Sequence, residues 1–300
     1  MNIAVIGAGA IGMLCSYYLA PTHNVTLVTR SVEQSNKINQ VGLTLYRSSH
    51  TYTLKKMNAI PIELFTPENI DLMIVTVKQH QLESLLPTLQ LISQDTPLLF
   101  LQNGMGHLEL LHHVSSSTIF AGIVKHGAIK VNSHTVEHRG IGDISIGRIQ
   151  GKLDLHPLES ATSDFFPIKI VNDISRRMVE KLVVNACINP LTTMLHVSNG
   201  ELVSNVHYQK LVQAVYSELN KIPFIKENEI SLDSVNKVCL QTSTNLSSML
   251  MDIKFKRKTE IDSIVGFVLK KAKSQQIDTP YLQFLFDVVK GKETQIIEKS

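Results

Sequence analysis

The chain has no tryptophan, only three cysteines, and no apolar run long enough to cross a bilayer. Cys15, Cys187 and Cys239 stand far apart, with no C-x-x-C pair and no even-numbered set. That excludes a disulfide scaffold and favours a reducing cytoplasm, where each thiol serves as a small apolar side chain. The N-terminus lacks the cationic stretch, apolar block and small-residue cleavage site of a signal peptide; Met1–Gly7 reads instead as a first strand. A net charge of +3 is too small to argue for nucleic acid. Internal repeats, low-complexity blocks and long linkers are also missing, and no metal site is expected.

What remains is an ordinary globular composition, 43% apolar and 18% charged over 300 residues. That length is more than one compact core usually takes, so two domains are expected, 1–171 and 172–300. In the first, short runs alternate with helical stretches. Asn2–Ile6, Val25–Thr29, Leu72–Val77, Pro97–Leu101 and Ser116–Ile123 read as strands apolar on both faces, as a helix-covered parallel sheet requires. Ala128–Gly147 reads as antiparallel strands appended to that sheet, and Phe165–Val171 as a last strand. Beyond Asp173 the period is helical: Ser175–Leu195, Gln209–Lys221, Leu232–Met251, Glu260–Gln275 and Thr279–Lys290, with Gly291 as the stop of the last.

Gly7-Ala8-Gly9-Ala10-Ile11-Gly12 follows a strand and opens a helix. The first glycine permits the tight turn, the second lets backbone approach a pyrophosphate, and the third lets helix and strand touch. This points to a Rossmann-type dinucleotide-binding domain. At the tip of the next strand stands Val28-Thr29-Arg30-Ser31, with no acid to bind the ribose hydroxyls of NAD. Arg30 and Ser31 suit a 2′-phosphate, which selects NADP(H); a surface arginine after a strand is the plain alternative. Lys78 and Asn103 close two further strands, at the ends where ligands of open α/β sheets gather.

In the helical part, Lys181, Asn185 and Asn189 recur every four residues, a polar stripe drifting about 40° per step along an otherwise apolar helix. A buried cation and two amides are costly unless a ligand or partners satisfy them. For the asparagines, an internal hydrogen-bond network between helices fits the pattern equally well. A lysine with a tunable pKa is a natural proton donor. Ser248 could meet a carboxylate. Glu260 reads either as a first-turn acid favoured by the helix dipole or as the partner of Lys181. Asn199-Gly200-Glu201 reads as a helix end and a new start.

GAGAIG at Gly7, VTVKQ around Lys78, LQNGMG around Asn103, EKLVVNACINPLT around Lys181, SNGEL at Asn199 and NLSSMLMDI followed by KRKTEID form an ordered set that runs nearly end to end. With it the chain resembles the ketopantoate reductase (2-dehydropantoate 2-reductase) family of pantothenate biosynthesis. The resemblance implies an α/β Rossmann-type NADP-binding domain followed by an all-helical domain of 6-phosphogluconate dehydrogenase C-terminal-like form. It implies NADPH as cofactor and reduction of a small 2-oxo acid, with Lys181 as catalytic proton donor and Glu260 beside it. Asn185, Asn189, Asn199 and Ser248 would hold the substrate. Gly7, Ala8, Gly9, Ala10, Ile11, Gly12, Arg30, Lys78, Asn103 and Ala128 would hold the cofactor. His80, where many relatives carry an aromatic residue, is read as part of the cofactor-facing wall. No nucleic-acid or membrane partner is expected, and a homodimer is left open. Two rival readings stay open as well: a reductase of another branched 2-oxo acid, and an NADP(H)-binding regulatory protein without turnover.

Overall fold

The computed structural model describes residues 1–152 and 155–297 and divides into two compact units, 1–102 with 110–175 and 103–109 with 176–300. The first unit opens with strand β1 (Asn2–Ile6), helix α1 (Ala10–Leu19), β2 (Asn24–Thr29) and α2 (Val32–Val41). Then come β3 (Leu43–Arg47), β4 (His50–Leu54), β5 (Asn58–Pro61), β6 (Leu72–Val75), α3 (Leu82–Gln90) and β7 (Leu98–Phe100). It closes with β8 (Ile119–Val124), β9 (Gly127–Lys130), β10 (Thr135–Gly140), β11 (Ile144–Gln150) and β12 (Ile168–Ile170).

The main sheet has the order β12-β11-β8-β7-β6-β1-β2-β5. From β5 to β8 all pairs are parallel, so this stretch is a doubly wound nucleotide-binding sheet whose order reverses between β1 and β6. Alternate residues of β1 face opposite sides, and both sides are dry. Ile3 and Val5 join Leu27, Ile74 and Phe120 beside α1, whereas Ala4 and Ile6 join Val28, Met73 and Val75 beside Leu82, Leu85 and Leu89 of α3. The expected fold class is therefore present.

Part of the expected strand layout is corrected. Only β11 is appended to the main sheet antiparallel, against β8. β9 and β10 instead join β3 and β4 in a second sheet, order β4-β3-β10-β9, which lies on α1. The decisive pairing is β10 alongside β3, parallel and some ninety residues away in sequence (Thr135 beside Thr44), a partner that local alternation cannot reveal. Between β10 and β11 the chain turns at Gly142, where a Cβ would sit 2.5 Å from the Lys125 carbonyl oxygen.

The second unit is helical: α4 (Ile174–Leu195, shared with the end of the first unit), α5 (Glu201–Ser204), α6 (Val206–Leu219), α7 (Pro223–Lys226), α8 (Leu232–Gln241), α9 (Ser248–Lys254), α10 (Phe267–Ser274) and α11 (Pro280–Ile297). Helix Leu232–Met251 is in fact two helices. Thr242 folds its hydroxyl back onto Val238 O (2.7 Å), and the carbonyls of Ser243 and Asn245 are taken by the amides of Gly200 and Asn199. Ser247 then caps α9 by accepting from the Leu250 amide. Helix α11 runs past Gly291 because a buried carboxylate anchors its far end: Glu293 accepts from both the amide (2.7 Å) and the hydroxyl (2.6 Å) of Thr259. At its start, buried Glu218 accepts from the amides of Tyr281 and Leu282, each at 2.9 Å, placing a negative charge where the helix dipole favours it. Before α10 the chain makes one π turn, Asp262–Gly266. Among the described residues no helix is long and apolar enough to cross a membrane.

Candidate active site

In the first unit, a cleft of about 820 Å³ opens at the C-terminal ends of β1, β2 and β6, the crevice where an open α/β sheet receives its ligand. The glycine loop forms its floor. Gly7 has φ +107°, which L side chains rarely adopt, and Gly12 packs so tightly on the Gly7 carbonyl that a Cβ there has no room. Thr76 secures the same turn, its hydroxyl lying 3.0 Å from Ile6 O and 2.9 Å from Gly7 O. At Gly9, by contrast, a Cβ would meet nothing within 4 Å. So Gly12 serves the packing of loop on strand, while Gly9 leaves the backbone open to the cleft. Ala8 lines the cleft, Ala10 begins α1, and Ile11 is half-buried against the core.

Arg30 stands exposed on the cleft rim at the tip of β2, with Ser31 next to it. Ser31 caps α2, its hydroxyl oxygen accepting from the Gln34 amide at 3.2 Å. Because that bond uses an acceptor site, the hydroxyl proton stays available to a ligand. Lys78 and His80 line the opposite wall from the loop after β6. Ala128 lies on β9, partly buried against the core. The residue of β9 that reaches the cleft is Lys130, two positions on and so on the same strand face. It donates to Ala8 O at 3.0 Å, and burial holds its ammonium below the usual lysine value. Sequence reading passed over Lys130, although its two-residue spacing from Ala128 could have pointed to it.

Three cations, a serine hydroxyl and an open glycine backbone, with no carboxylate lining the cleft among the described residues, are a donor set that fits a phosphorylated dinucleotide. Among the described residues, no group of three or more histidine, cysteine or acidic side chains could hold a metal ion.

In the helical unit, Lys181 and Asn185 are half-buried on α4, and Asn189 is buried, while Leu182, Val183, Cys187 and Ile188 around them are sealed in the core. Helix α4 continues through Pro190, and two residues on Thr192 shares a 2.7 Å hydrogen bond with Ser247, tying α4 to the start of α9. Ser248 itself is exposed in the first turn of α9. Asn199 is buried; its amide donates to Thr242 Oγ1 at 2.9 Å, and its Oδ1 has no hydrogen-bond partner among the described residues.

The structure joins two sequence candidates that had been given separate tasks. Asn103 lies in the segment that packs with the helical unit, and its Nδ2 donates to Glu260 Oε2 at 2.8 Å. The next residue, Gly104 (φ +77°), rests against the backbone of Ser263 in the π turn, and a Cβ would collide with that carbonyl. The Ser263 hydroxyl in turn donates to Glu260 O at 3.0 Å. Glu260 is thus held at its carboxylate and at its backbone by this one packing arrangement.

A doubly wound sheet with a cation-lined cleft at its reversal, followed by a helical unit with half-buried polar side chains, is the build of a two-domain dinucleotide-dependent oxidoreductase. The family model described as "Ketopantoate reductase PanE/ApbA" matches residues 3–151, and that of its C-terminal part matches residues 173–293. The chain belongs to the ketopantoate reductase family. A 2-dehydropantoate 2-reductase of Bacillus subtilis is 40% identical over 297 residues, 98% of each chain, and one of Listeria innocua is 36% identical over 298. Among solved structures, a probable 2-dehydropantoate 2-reductase from Bacillus subtilis superposes with a TM-score of 0.88 at 39% identity, over 98% of this chain and all of that one. A D-mandelate dehydrogenase in complex with NADH and anilino(oxo)acetate does so with 0.87 at 26% identity over 99% of each.

Proposed function

We propose that this chain reduces 2-dehydropantoate to pantoate with NADPH, in a reducing cytoplasm that suits its three buried free thiols. The reading is carried by the end-to-end likeness to curated 2-dehydropantoate 2-reductases, 40% over 98% of the chain. The donor set of the cleft supports the choice of cofactor. Arg30 and Ser31 offer a guanidinium fork and a hydroxyl to the 2′-phosphate, and the open backbone at Gly9 admits the pyrophosphate. Gly7, Ala8, Ala10, Ile11 and Gly12 shape that loop, and Lys78 and Ala128 complete the cofactor set.

The chemistry supplied by the bound cofactor is hydride donation from nicotinamide C4 to the 2-oxo carbon. The protein's own task is to stabilise the negative charge growing on the carbonyl oxygen and then to protonate it. Lys181 does both: its ammonium points a charged donor at the developing alkoxide and delivers the proton. Glu260, fixed by Asn103, is the carboxylate that the family resemblance sets beside that lysine. Asn103 thereby acts through Glu260 and keeps its second amide hydrogen and its Oδ1 for the cofactor. Asn185, Asn189, Asn199 and Ser248 hold the substrate. The buried, unpartnered Oδ1 of Asn199 is an acceptor that a substrate hydroxyl would satisfy.

The likeness to a D-mandelate dehydrogenase carrying a 2-oxo acid analogue favours one second reading, a reductase of a different 2-oxo acid. Both are tested by following NADPH oxidation with ketopantoate, with 2-oxoisovalerate and phenylglyoxylate as competing substrates and NADH as competing cofactor. Fast, NADPH-selective consumption with ketopantoate is expected. Turnover of another oxo acid instead would keep the chemistry and replace the substrate. Silence with all of them would reduce the protein to a dinucleotide binder.

A further inference from the structure

The cleft contains a cation to which the resemblance gives no role. Lys130 is half-buried, its hydrogen bond goes to a neutral carbonyl (Ala8 O, 3.0 Å), and no carboxylate pairs with it among the described residues. An ammonium withdrawn from water and met by one carbonyl is under-compensated, and it retains two donors for a further ligand. A mere tether for the loop would not need the charge. Gln34 already performs that task with an amide, Nε2 donating to Ala8 O at 3.1 Å and to Ser133 O at 2.8 Å.

Those same bonds locate Lys130 along the cleft. Ala8 O accepts from both Lys130 and Gln34, and the backbone amide of Gln34 donates to Ser31 Oγ at 3.2 Å. Lys130 is therefore linked by three hydrogen bonds to the Arg30–Ser31 tip. A phosphate monoester carries about −1.5 to −2 charges near neutral pH, more than one exposed arginine can offset. We propose that Lys130 is a second cationic ligand of the cofactor's 2′-phosphate and, with Arg30, determines the preference for NADPH over NADH. This rests on the cofactor reading above. An anion placed beside it would also offset the desolvation that now disfavours the charged lysine.

The test is fluorescence titration of NADPH and NADH against wild type, Lys130→Met and Lys130→Arg, with adenosine 2′-monophosphate and adenosine 5′-monophosphate as fragment probes. Lys130→Met keeps the apolar stem and loses the charge. It should weaken NADPH about tenfold while NADH stays within about twofold, and Lys130→Arg should retain most of the affinity. Adenosine 2′-monophosphate should lose affinity in Lys130→Met by a similar factor, and adenosine 5′-monophosphate should not. Equal losses for NADPH and NADH would overturn the proposal and make Lys130 a loop tether or pyrophosphate ligand. Unchanged affinity for both would remove it from the site. Failure of the cofactor reading shows separately, as a wild-type protein that does not distinguish NADPH from NADH. Melting the cofactor-free variants checks folding, and Lys130→Arg keeps the comparison decisive if the methionine variant is unstable.

Discussion

The two units build their functional groups in opposite ways. In the sheet unit, positions follow from topology: strand ends, a glycine turn and a helix N-terminus converge wherever the strand order reverses, and side chains are added to a backbone-made cleft. In the helical unit nothing converges by topology. Its polar groups are side chains on helix faces and in the loops between helices, held by individual contacts such as Asn103 to Glu260 and Thr192 to Ser247. The difference teaches where each unit is vulnerable. Backbone changes should damage the first, and single side-chain deletions the second.

The sharpest test of that contrast is Lys181→Met. It should reduce kcat by about 10²–10⁴-fold, the usual worth of a positioned proton donor, and leave the NADPH dissociation constant near wild type. A variant of full activity would take the lysine out of the mechanism. Next comes a glycine pair. Gly12→Ala places a methyl group against the Gly7 carbonyl and 2.6 Å from Thr76 Oγ1, so it should cost about 1–3 kcal/mol in the cofactor-free melt as well as weaken NADPH. Gly9→Ala should melt like wild type and lose only affinity, because its methyl enters open cleft. If both alanines melt alike, the division of labour between the two glycines is wrong.

A smaller effect is expected from Asn103→Asp. It swaps the donor to Glu260 for a second carboxylate, so kcat should fall about tenfold at neutral pH and recover partly as the pH is lowered and one of the pair is protonated. A pH-independent loss would assign Asn103 to cofactor contact alone.

The mildest effect separates the second sheet from the main one. His126 Nδ1 accepts from the Gly142 amide (3.2 Å) and lies 3.0 Å from His138 Nε2, while Tyr18 OH lies 3.0 Å from His138 Nδ1 and itself accepts from Arg47 at 2.9 Å. With the Gly142 amide donating to its Nδ1, His126 is neutral in the fold. Burial and the neighbouring His138 push it down to about 4, with Asp143 opposing, and burial and Arg47 push His138 down too. The unfolded chain, with ordinary imidazoles near 6.5, therefore takes up protons first. This contribution to stability is whole above about pH 6.5 and is lost as the pH falls towards 4. The melting temperature of wild type should drop more between pH 7 and pH 5 than that of His126→Leu; parallel curves would refute the coupling.

How much of this was legible beforehand depended on the range of the forces involved. The glycine loop, Arg30 and the two-faced strands were readable because turn geometry and alternation are local. The lysine–asparagine stripe of α4 was readable because four-residue spacing sets one helix face. The second sheet was not, since β10 chooses β3 across ninety intervening residues. Helix α11 outran its glycine because Glu293 is anchored by Thr259, a contact no helix-stop rule contains. The break after α8 did leave a mark in the polar run Thr242-Ser243-Thr244-Asn245, which apolar periodicity alone overlooks. The bond between Asn103 and Glu260 joins positions 157 apart, and residue type alone could only place each beside a ligand.

The heptapeptide from Asn103 to Glu109 has a consequence for recombining this protein with its relatives. Although it is encoded in the first half of the chain, it packs with the second. A chimera spliced once near residue 172 would set Asn103 from one parent against Glu260 and the π turn from the other. Parents that differ there would yield hybrids in which each half is intact in sequence and one is mismatched in its packing. Clean exchange needs three junctions, at 102/103, 109/110 and 175/176. Selection among natural crossovers should accordingly treat this short loop and the C-terminal two fifths of the chain as one heritable block.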